Sequence, residues 1–202
     1  EDLLARAPAM LDDLDDLLAE VSEGSRGLSG VIRISAPVTF GEVYVVDMLA
    51  RFRAATPGLT LDLRLSDRSV DLARDGLDVA FRMGKTDTLS LKLRNLGSFR
   101  SMAVASPKYI ETHGMPETPA DLADHACIVD TNRRVPRRWV FRRGEDEVAT
   151  QVQGRFHVNS ARAAVELAVR GVGIVYAPRF ALAAALNSGT VVPVLTGVDG
   201  ET

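Results

Sequence analysis

The chain has 202 residues, of which 46% are hydrophobic and 25% charged, and its formal net charge is −3. This composition is typical of a soluble globular protein and excludes collagen-like, disordered and disulfide-scaffold classes. The lone cysteine, Cys127, cannot form an intrachain disulfide and fits a reducing compartment. No apolar run approaches the roughly 20 residues that span a bilayer, and the first residues lack the basic start of a signal peptide. We expect a cytoplasmic protein with no membrane contact.

The first 27 residues predict an amphipathic helix that needs a partner. Their acidic side chains fill one face, and Pro8 either starts the helix or kinks it. The glycines between Gly24 and Gly30 then predict a linker. The apolar residues of this segment form a seam, in which steps of four and three alternate as in a heptad pattern, at Leu3, Ala7, Met10, Leu14, Leu17 and Val21. This seam is expected to pack either on the body of the domain or on the same seam of a second copy of the chain.

Residues 31–83 alternate strand and helix patterns. The leucines of 59–65 alternate with polar residues, as in a half-buried strand. The predicted elements are strands at 31–36, 59–65 and 77–83, a helix that begins at 37–39 and a short helix at 66–75. This β-α-β-α-β order is typical of a parallel sheet.

The same alternation restarts after Phe99 and predicts a second α/β unit. The helix at 160–170 has Asn159 or Ser160 as its cap and Gly171 after its end. The other predicted helices cover 107–113 and 180–187, with a further helix start at 118–121. The predicted strands cover 101–106, 126–130, 138–141, 148–158, 174–177 and 191–195.

The sequence contains no motif that identifies a catalytic, metal or cofactor site. G-x-S-x-G, Walker and H-E-x-x-H patterns do not occur. The G-x-G at 171–173 lacks the third glycine of a dinucleotide site and follows a helix rather than a strand. His113, His125 and His157 have no acidic or cysteine companion at ligand spacing. We expect surface or hydrogen-bonded histidines, a buried Cys127, no metal and no cofactor.

Polar residues at the ends of predicted strands are the best candidates for a binding site. Val38-Thr39-Phe40 and Asn159-Ser160 begin two helices, whose N-termini attract anions, although a plain helix cap is the alternative for each. Ser66 follows the second strand and Arg82 ends the third, where open α/β sheets hold ligands. Arg82 either binds a ligand or holds an ion pair.

Six arginines between Arg133 and Arg143 form a basic run around Trp139. They indicate either a phosphate site or a solvated hairpin or loop face, and the second interpretation is the simpler one. The chain as a whole lacks the strongly basic face of a self-sufficient nucleic-acid binder. Any DNA contact is therefore expected from residues outside this sequence.

Six motifs in a fixed order carry a resemblance to a known family. They include GVIRISAPVTFG at 30–41, PGLTLDLRLSD at 57–67 and, most recognisably, VDLARDGLDVAFRMG at 70–84. Shorter segments at 105–109, 118–122 and 171–178 complete the series. These motifs resemble the effector-binding domain of LysR-type transcriptional regulators, and residues 1–27 resemble the linker helix of that family.

The resemblance implies an α/β fold of two Rossmann-like lobes in a type 2 periplasmic-binding-protein-like arrangement, preceded by an amphipathic linker helix. The implied domains are a dimerisation helix at 1–29, lobe I at 30–101 plus 196–202, and lobe II at 102–195. A small-molecule effector, which we expect to be an organic acid, lies between the lobes. The expected contacts are Val38, Thr39, Phe40, Ser66, Arg82, Asp130, Asn159 and Ser160 for the effector, and Met10, Leu14, Leu17 and Val21 for the dimer.

The sequence departs from the family pattern at both ends. It lacks the winged helix-turn-helix that precedes the linker helix and the strand and helix that complete the first lobe. The expected partners are the effector and a second copy of the chain, as a homodimer or as a tetramer of the full-length protein. DNA is expected to bind only through the missing N-terminal domain.

Two other functions fit the expected fold. A free solute-binding protein has similar lobes, but it needs no heptad helix and would carry a signal peptide. An enzyme of this fold, such as a lyase or dehydratase, would need an acid–base pair in the cleft, and the sequence offers no obvious one. A regulatory domain without enzymatic activity is therefore favoured.

Overall fold

The computed structural model describes residues 28–68, 72–84, 91–144 and 146–200. They form parts of two compact units that divide between Ser98 and Phe99. The predicted dimerisation residues Met10, Leu14, Leu17 and Val21 lie outside the described residues. Among the described residues, no helix is long and apolar enough to cross a membrane.

The first unit is built on a three-stranded parallel sheet, as the sequence predicts. Its strands are β1 (Gly30–Ala36), β2 (Leu59–Leu65) and β3 (Val79–Ala80), in the order β2-β1-β3. Between β1 and β2 lie α1 (Val38–Phe40), a π-helical turn (Gly41–Val45) and α2 (Val46–Ala55). Because the strands are parallel, their carboxyl ends meet at one edge, beside the start of α1.

The second unit contains one mixed sheet and one antiparallel sheet. The strands are β4 (Ser101–Ala105), β5 (Cys127–Asp130), β6 (Arg138–Arg143), β7 (Asp146–Gln151), β8 (Gly154–Val158), β9 (Ile174–Pro178), β10 (Val192–Pro193) and β11 (Asp199–Gly200). The larger sheet has the order β10-β4-β9-β5-β8, and the smaller sheet has the order β11-β6-β7. Since β5 runs parallel to β8 and β9, these three strands also share a carboxyl edge. The helices are α3 (Pro107–His113), a 3₁₀ turn (Pro119–Ala123), α4 (Ala161–Val169) and α5 (Arg179–Asn187).

Aromatic packing joins the two sheets of the second unit. Trp139 and Phe141 of β6 are buried against Tyr176 of β9, with ring centroids 5.3 Å and 5.1 Å from that of the tyrosine. The Tyr176 hydroxyl donates a hydrogen bond to the Val140 carbonyl at 2.6 Å. The tyrosine thus satisfies its polar atom while its ring fills the core, as buried tyrosines require.

Two predicted elements of the first unit differ from the structure. The helix predicted at 66–75 is absent from 66–68 and 72–75, which form bends and turns, while 69–71 lie outside the described residues. The strand predicted at 77–83 is reduced to Val79–Ala80, because only these residues pair with β1, opposite Ile34 and Ser35.

The strand predicted at 148–158 is two strands in two different sheets, β7 and β8. They separate at Val152, which is buried and donates its N–H to the Arg137 carbonyl at 2.9 Å. At the start of β8, a Cβ on Gly154 would collide with the Val129 side chain. The alternation of polar and apolar residues over 148–158 therefore gives no sign that the chain changes sheet. The change is imposed by the buried contacts of Val152 and Gly154.

The described residues at the end of the chain do not join the first unit, although the family resemblance implied that 196–202 complete lobe I. Asp199 and Gly200 instead pair with Arg142 and Phe141 of β6. Gly200 lies so close to the Ser101 carbonyl that any Cβ would collide with it. Residues 196–200 therefore belong to the second unit, whereas the lobe boundary expected after residue 101 stays a prediction.

Candidate functional site

The carboxyl edge of the first sheet holds a half-buried arginine. The Arg82 guanidinium donates through Nη2 to the Ser35 hydroxyl at 3.0 Å and through Nη1 to the Ser66 carbonyl at 3.4 Å. Ser35 is only 1% exposed, so its hydroxyl fixes the guanidinium from inside the sheet. The structure thus brings Ser66 and Arg82 together, in agreement with the prediction that both reach the same edge of the sheet. That they bind an effector stays a prediction.

Two opposing influences act on the charge of Arg82. Burial lowers the pKa of its guanidinium, because removal from water penalises the charged form, and the negative charge of Asp67 raises it. An arginine remains protonated at neutral pH in spite of such shifts. Arg82 is therefore a fixed positive charge at the strand ends, with a carboxylate nearby.

The helix that begins at Val38 already has an anionic group at its N-terminus. The Val38 N–H donates to Oδ1 of Asp67 at 3.0 Å, while Pro37 at the cap position supplies no side-chain bond. Thr39 and Phe40 are half-buried in the next positions, and the Phe40 ring lies 6.3 Å from that of Phe81. The anion site predicted at this turn is therefore occupied, at Val38, by the protein's own carboxylate.

In the second unit, Asp130, Asn159 and Ser160 come together through a residue that the sequence analysis missed. The Asn132 backbone N–H donates to Oδ1 of Asp130 at 3.0 Å, and its side-chain amide donates to the Asn159 carbonyl at 2.7 Å. Ser160 caps α4, because its hydroxyl accepts a hydrogen bond from the Ala163 N–H at 3.2 Å. These residues form a polar cluster where β5 and β8 end.

The arginine run of 133–143 divides into two parts. Arg138 and Arg142 lie on the exposed face of the β6–β7 hairpin near Glu147, at 3.7 Å and 3.3 Å, which agrees with the simpler interpretation of a hairpin face. Arg133 differs, since it is half-buried with its guanidinium carbon 4.4 Å above the centroid of the Tyr176 ring. It follows β5 by three residues, so this cation–π contact places a second guanidinium in the loop beside Asp130.

The histidines of the second unit have structural partners. Nδ1 of His125 is hydrogen-bonded to the Tyr109 hydroxyl at 3.1 Å. The His113 ring stacks on the Tyr109 ring, and its Nδ1 is hydrogen-bonded to the Tyr109 carbonyl at 3.2 Å. This agrees with the expectation of hydrogen-bonded histidines at these two positions. Among the described residues, no three His, Cys, Asp or Glu side chains are grouped as a metal ion would require.

Cys127 should resist thiol reagents until the protein unfolds. Its side chain is 2% exposed, burial raises its pKa to about 12, and its Sγ lies 3.6 Å from the Leu122 carbonyl as a donor. Because the thiolate is the reactive species, a disulfide exchange reagent at pH 8 should modify the native protein far more slowly than the protein in denaturant. Equal labelling rates in the two conditions would show that the thiol is accessible.

Comparison with known proteins defines the family. The model of the LysR substrate binding domain matches residues 25–200. The chain belongs to this family. The matched LysR domain includes all eight of the predicted effector contacts.

Individual relatives agree with this assignment. The chain is 32% identical to an uncharacterized HTH-type transcriptional regulator of Haemophilus influenzae and 31% identical to the regulator YhjC of Escherichia coli, over 94% and 97% of its length. It spans 66% of the length of each. The full-length structure of AphB, a virulence activator of Vibrio cholerae, superposes with a TM-score of 0.77 at 27% identity, covering 98% of this chain and 67% of AphB. The predicted type 2 periplasmic-binding-protein-like fold class is thereby confirmed, while the linker helix predicted at 1–27 lies outside the described residues.

Proposed function

We propose that this LysR-type regulatory domain binds a small organic acid as its effector, between its two lobes. The first unit contributes the turn at 38–40 with Ser66 and Arg82, and the second contributes Asp130, Asn159 and Ser160. The observation that carries the proposal is the half-buried Arg82, which the buried Ser35 hydroxyl holds at the strand ends. A guanidinium that is fixed in this way is a good partner for a planar carboxylate. Since Asp67 occupies the Val38 N–H, the ligand carboxylate pairs with Arg82 and the Thr39 hydroxyl.

The effector would act by shifting the population of two conformations. A ligand that contacts both lobes stabilises the conformation in which those contacts are made. It shifts the equilibrium only as far as its affinities for the two conformations differ. In the longer protein, dimerised through residues 1–29, this change would reach an N-terminal winged helix-turn-helix that binds DNA in the cytoplasm. The transcriptional regulators among the relatives support this function over a free solute-binding protein or an enzyme.

A ligand screen followed by one conservative substitution tests the site. Aliphatic and aromatic acids are first ranked by the rise they cause in the unfolding temperature, because a ligand that binds only the native state stabilises it. Thr39→Val keeps the shape of the side chain and removes its hydroxyl. The affinity for the best acid should fall about three- to tenfold, as expected for the loss of one hydrogen bond, and calorimetry measures this change.

The matched control is Thr60→Val, since Thr60 is exposed near the start of β2, away from the carboxyl edge of the sheet. It should leave the affinity unchanged. Equal affinities of wild type and Thr39→Val would remove Thr39 from the site. A screen in which cations or sugars bind and acids do not would overturn the organic-acid proposal.

A further inference from the structure

Asp67 places a negative charge beside the positive charge that should attract the effector. Its Oδ1 atom accepts a hydrogen bond from the Val38 N–H at 3.0 Å, and its negative charge raises the pKa of Arg82, against the larger and opposite effect of burial. Arg82 is in turn held by the Ser35 hydroxyl and the Ser66 carbonyl. The carboxylate and the guanidinium therefore have defined positions at the same edge of the sheet.

The charges of Arg82 and Asp67 affect the binding of an acid according to the group that it carries next to its carboxylate. A plain carboxylate that approaches Arg82 also approaches Asp67, and the like charges oppose its binding. An acid with a hydroxyl or ammonium group next to its carboxylate can direct that donor at Asp67 while the carboxylate pairs with Arg82. The second interaction is a charge-assisted hydrogen bond, which is stronger than a neutral one. With such a donor on the ligand, the Asp67 carboxylate attracts the acid, whereas it repels a plain carboxylate.

We propose that Asp67 is a specificity-determining residue that selects hydroxy acids or amino acids over simple carboxylic acids. The inference rests on the proposed function, since it assumes an organic acid at Arg82. It adds the chemical class of that acid and a residue that the sequence analysis did not single out. Specificity arises because a polar group that suits the right ligand is unfavourable toward the wrong one.

Matched acids that differ only in the donor test the proposal. In the first set, propionate is the plain acid, and lactate and alanine carry the donor. In the second set, succinate is compared with malate, and in the third, phenylacetate is compared with mandelate. In the wild type, the member with the donor should bind about tenfold more tightly than its plain partner, or more. Asp67→Asn keeps an oxygen that can accept from Val38 but removes the charge. In that variant the plain acid should bind more tightly than in the wild type and the hydroxy acid less tightly, so that the preference shrinks to about threefold or less.

Two further variants keep the result interpretable. Asp67→Glu retains the charge and should retain the sign of the preference, even where the longer side chain lowers both affinities. Asp47→Asn is the matched control, because Asp47 lies exposed on α2 in an ion pair with Arg51 and should change neither affinity. Melting curves of all variants establish that they are folded.

The possible outcomes separate the inference from the function on which it rests. If no acid of any set raises the unfolding temperature of the wild type, the proposed function is overturned and the inference with it. If acids bind but the plain members bind as well as the others, only the role of Asp67 is overturned. An unchanged preference in folded Asp67→Asn overturns it as well. A preference that shrinks in Asp67→Asn and persists in Asp67→Glu supports it.

Discussion

Replacing Arg82 with methionine should weaken binding of the best organic acid about a hundredfold. Methionine approximates the length of the arginine stem but supplies neither charge nor hydrogen-bond donors. Loss of one partner of a hydrogen-bonded, desolvated ion pair costs about 2–5 kcal/mol, and about 2.7 kcal/mol corresponds to a hundredfold in affinity. The substitution also removes the positive charge on which the Asp67 carboxylate acts. Calorimetry with wild type and variant measures the effect.

Two other variants distinguish a binding role of Arg82 from a structural one. Arg82→Lys keeps the charge without the planar fork of donors and should recover part of the affinity. Arg51→Met removes an exposed arginine from α2 and should have no effect on affinity. If Arg82→Met remains folded and binds the acid like the wild type, Arg82 holds only structural bonds to Ser35 and Ser66, and the proposed site is wrong.

The double substitution Leu14→Glu and Leu17→Glu should abolish self-association through the N-terminal seam. Both residues lie outside the described part of the chain, and their heptad spacing with Met10 and Val21 places them on one face of the predicted helix. Burial of one leucine contributes about 1.5–3 kcal/mol, and two leucines together therefore affect dimerisation by more than about a hundredfold. Sedimentation velocity over a range of protein concentrations measures the change.

The control for this experiment is the pair Ala9→Glu and Ala19→Glu, which adds the same charge at positions that helical spacing places away from the seam. It should leave the dimer intact. An unchanged sedimentation profile for the leucine variant would refute the dimerisation role. A lower unfolding temperature with unchanged association would indicate instead that the helix folds back on its own domain.

The amino-acid sequence by itself indicates the family and several of the local elements, such as β2. Leucine alternation over 59–65 predicts β2 because successive side chains of a strand point to opposite faces. Parallel strands bring their carboxyl ends to one edge, so the positions of Ser66 and Arg82 in the sequence are enough to predict that both reach that edge. The ordered motifs identify a LysR-type domain because they are spread over residues 30–178 and do not depend on a single site.

Only the tertiary structure decides which side chains complete the site. Arg82 and Ser35 are 47 residues apart, and Asp67 and Val38 are 29 apart, so no local pattern connects either pair. The same limit applies to the break between β7 and β8 at Val152, which burial imposes on a continuous strand pattern. Hydrophobic periodicity indicates which face of a helix or strand is buried. The partners of each polar group depend instead on register and packing between segments that are distant in the sequence. That is why the sequence predicts an anion site at Val38, while the fold places the Asp67 carboxylate there.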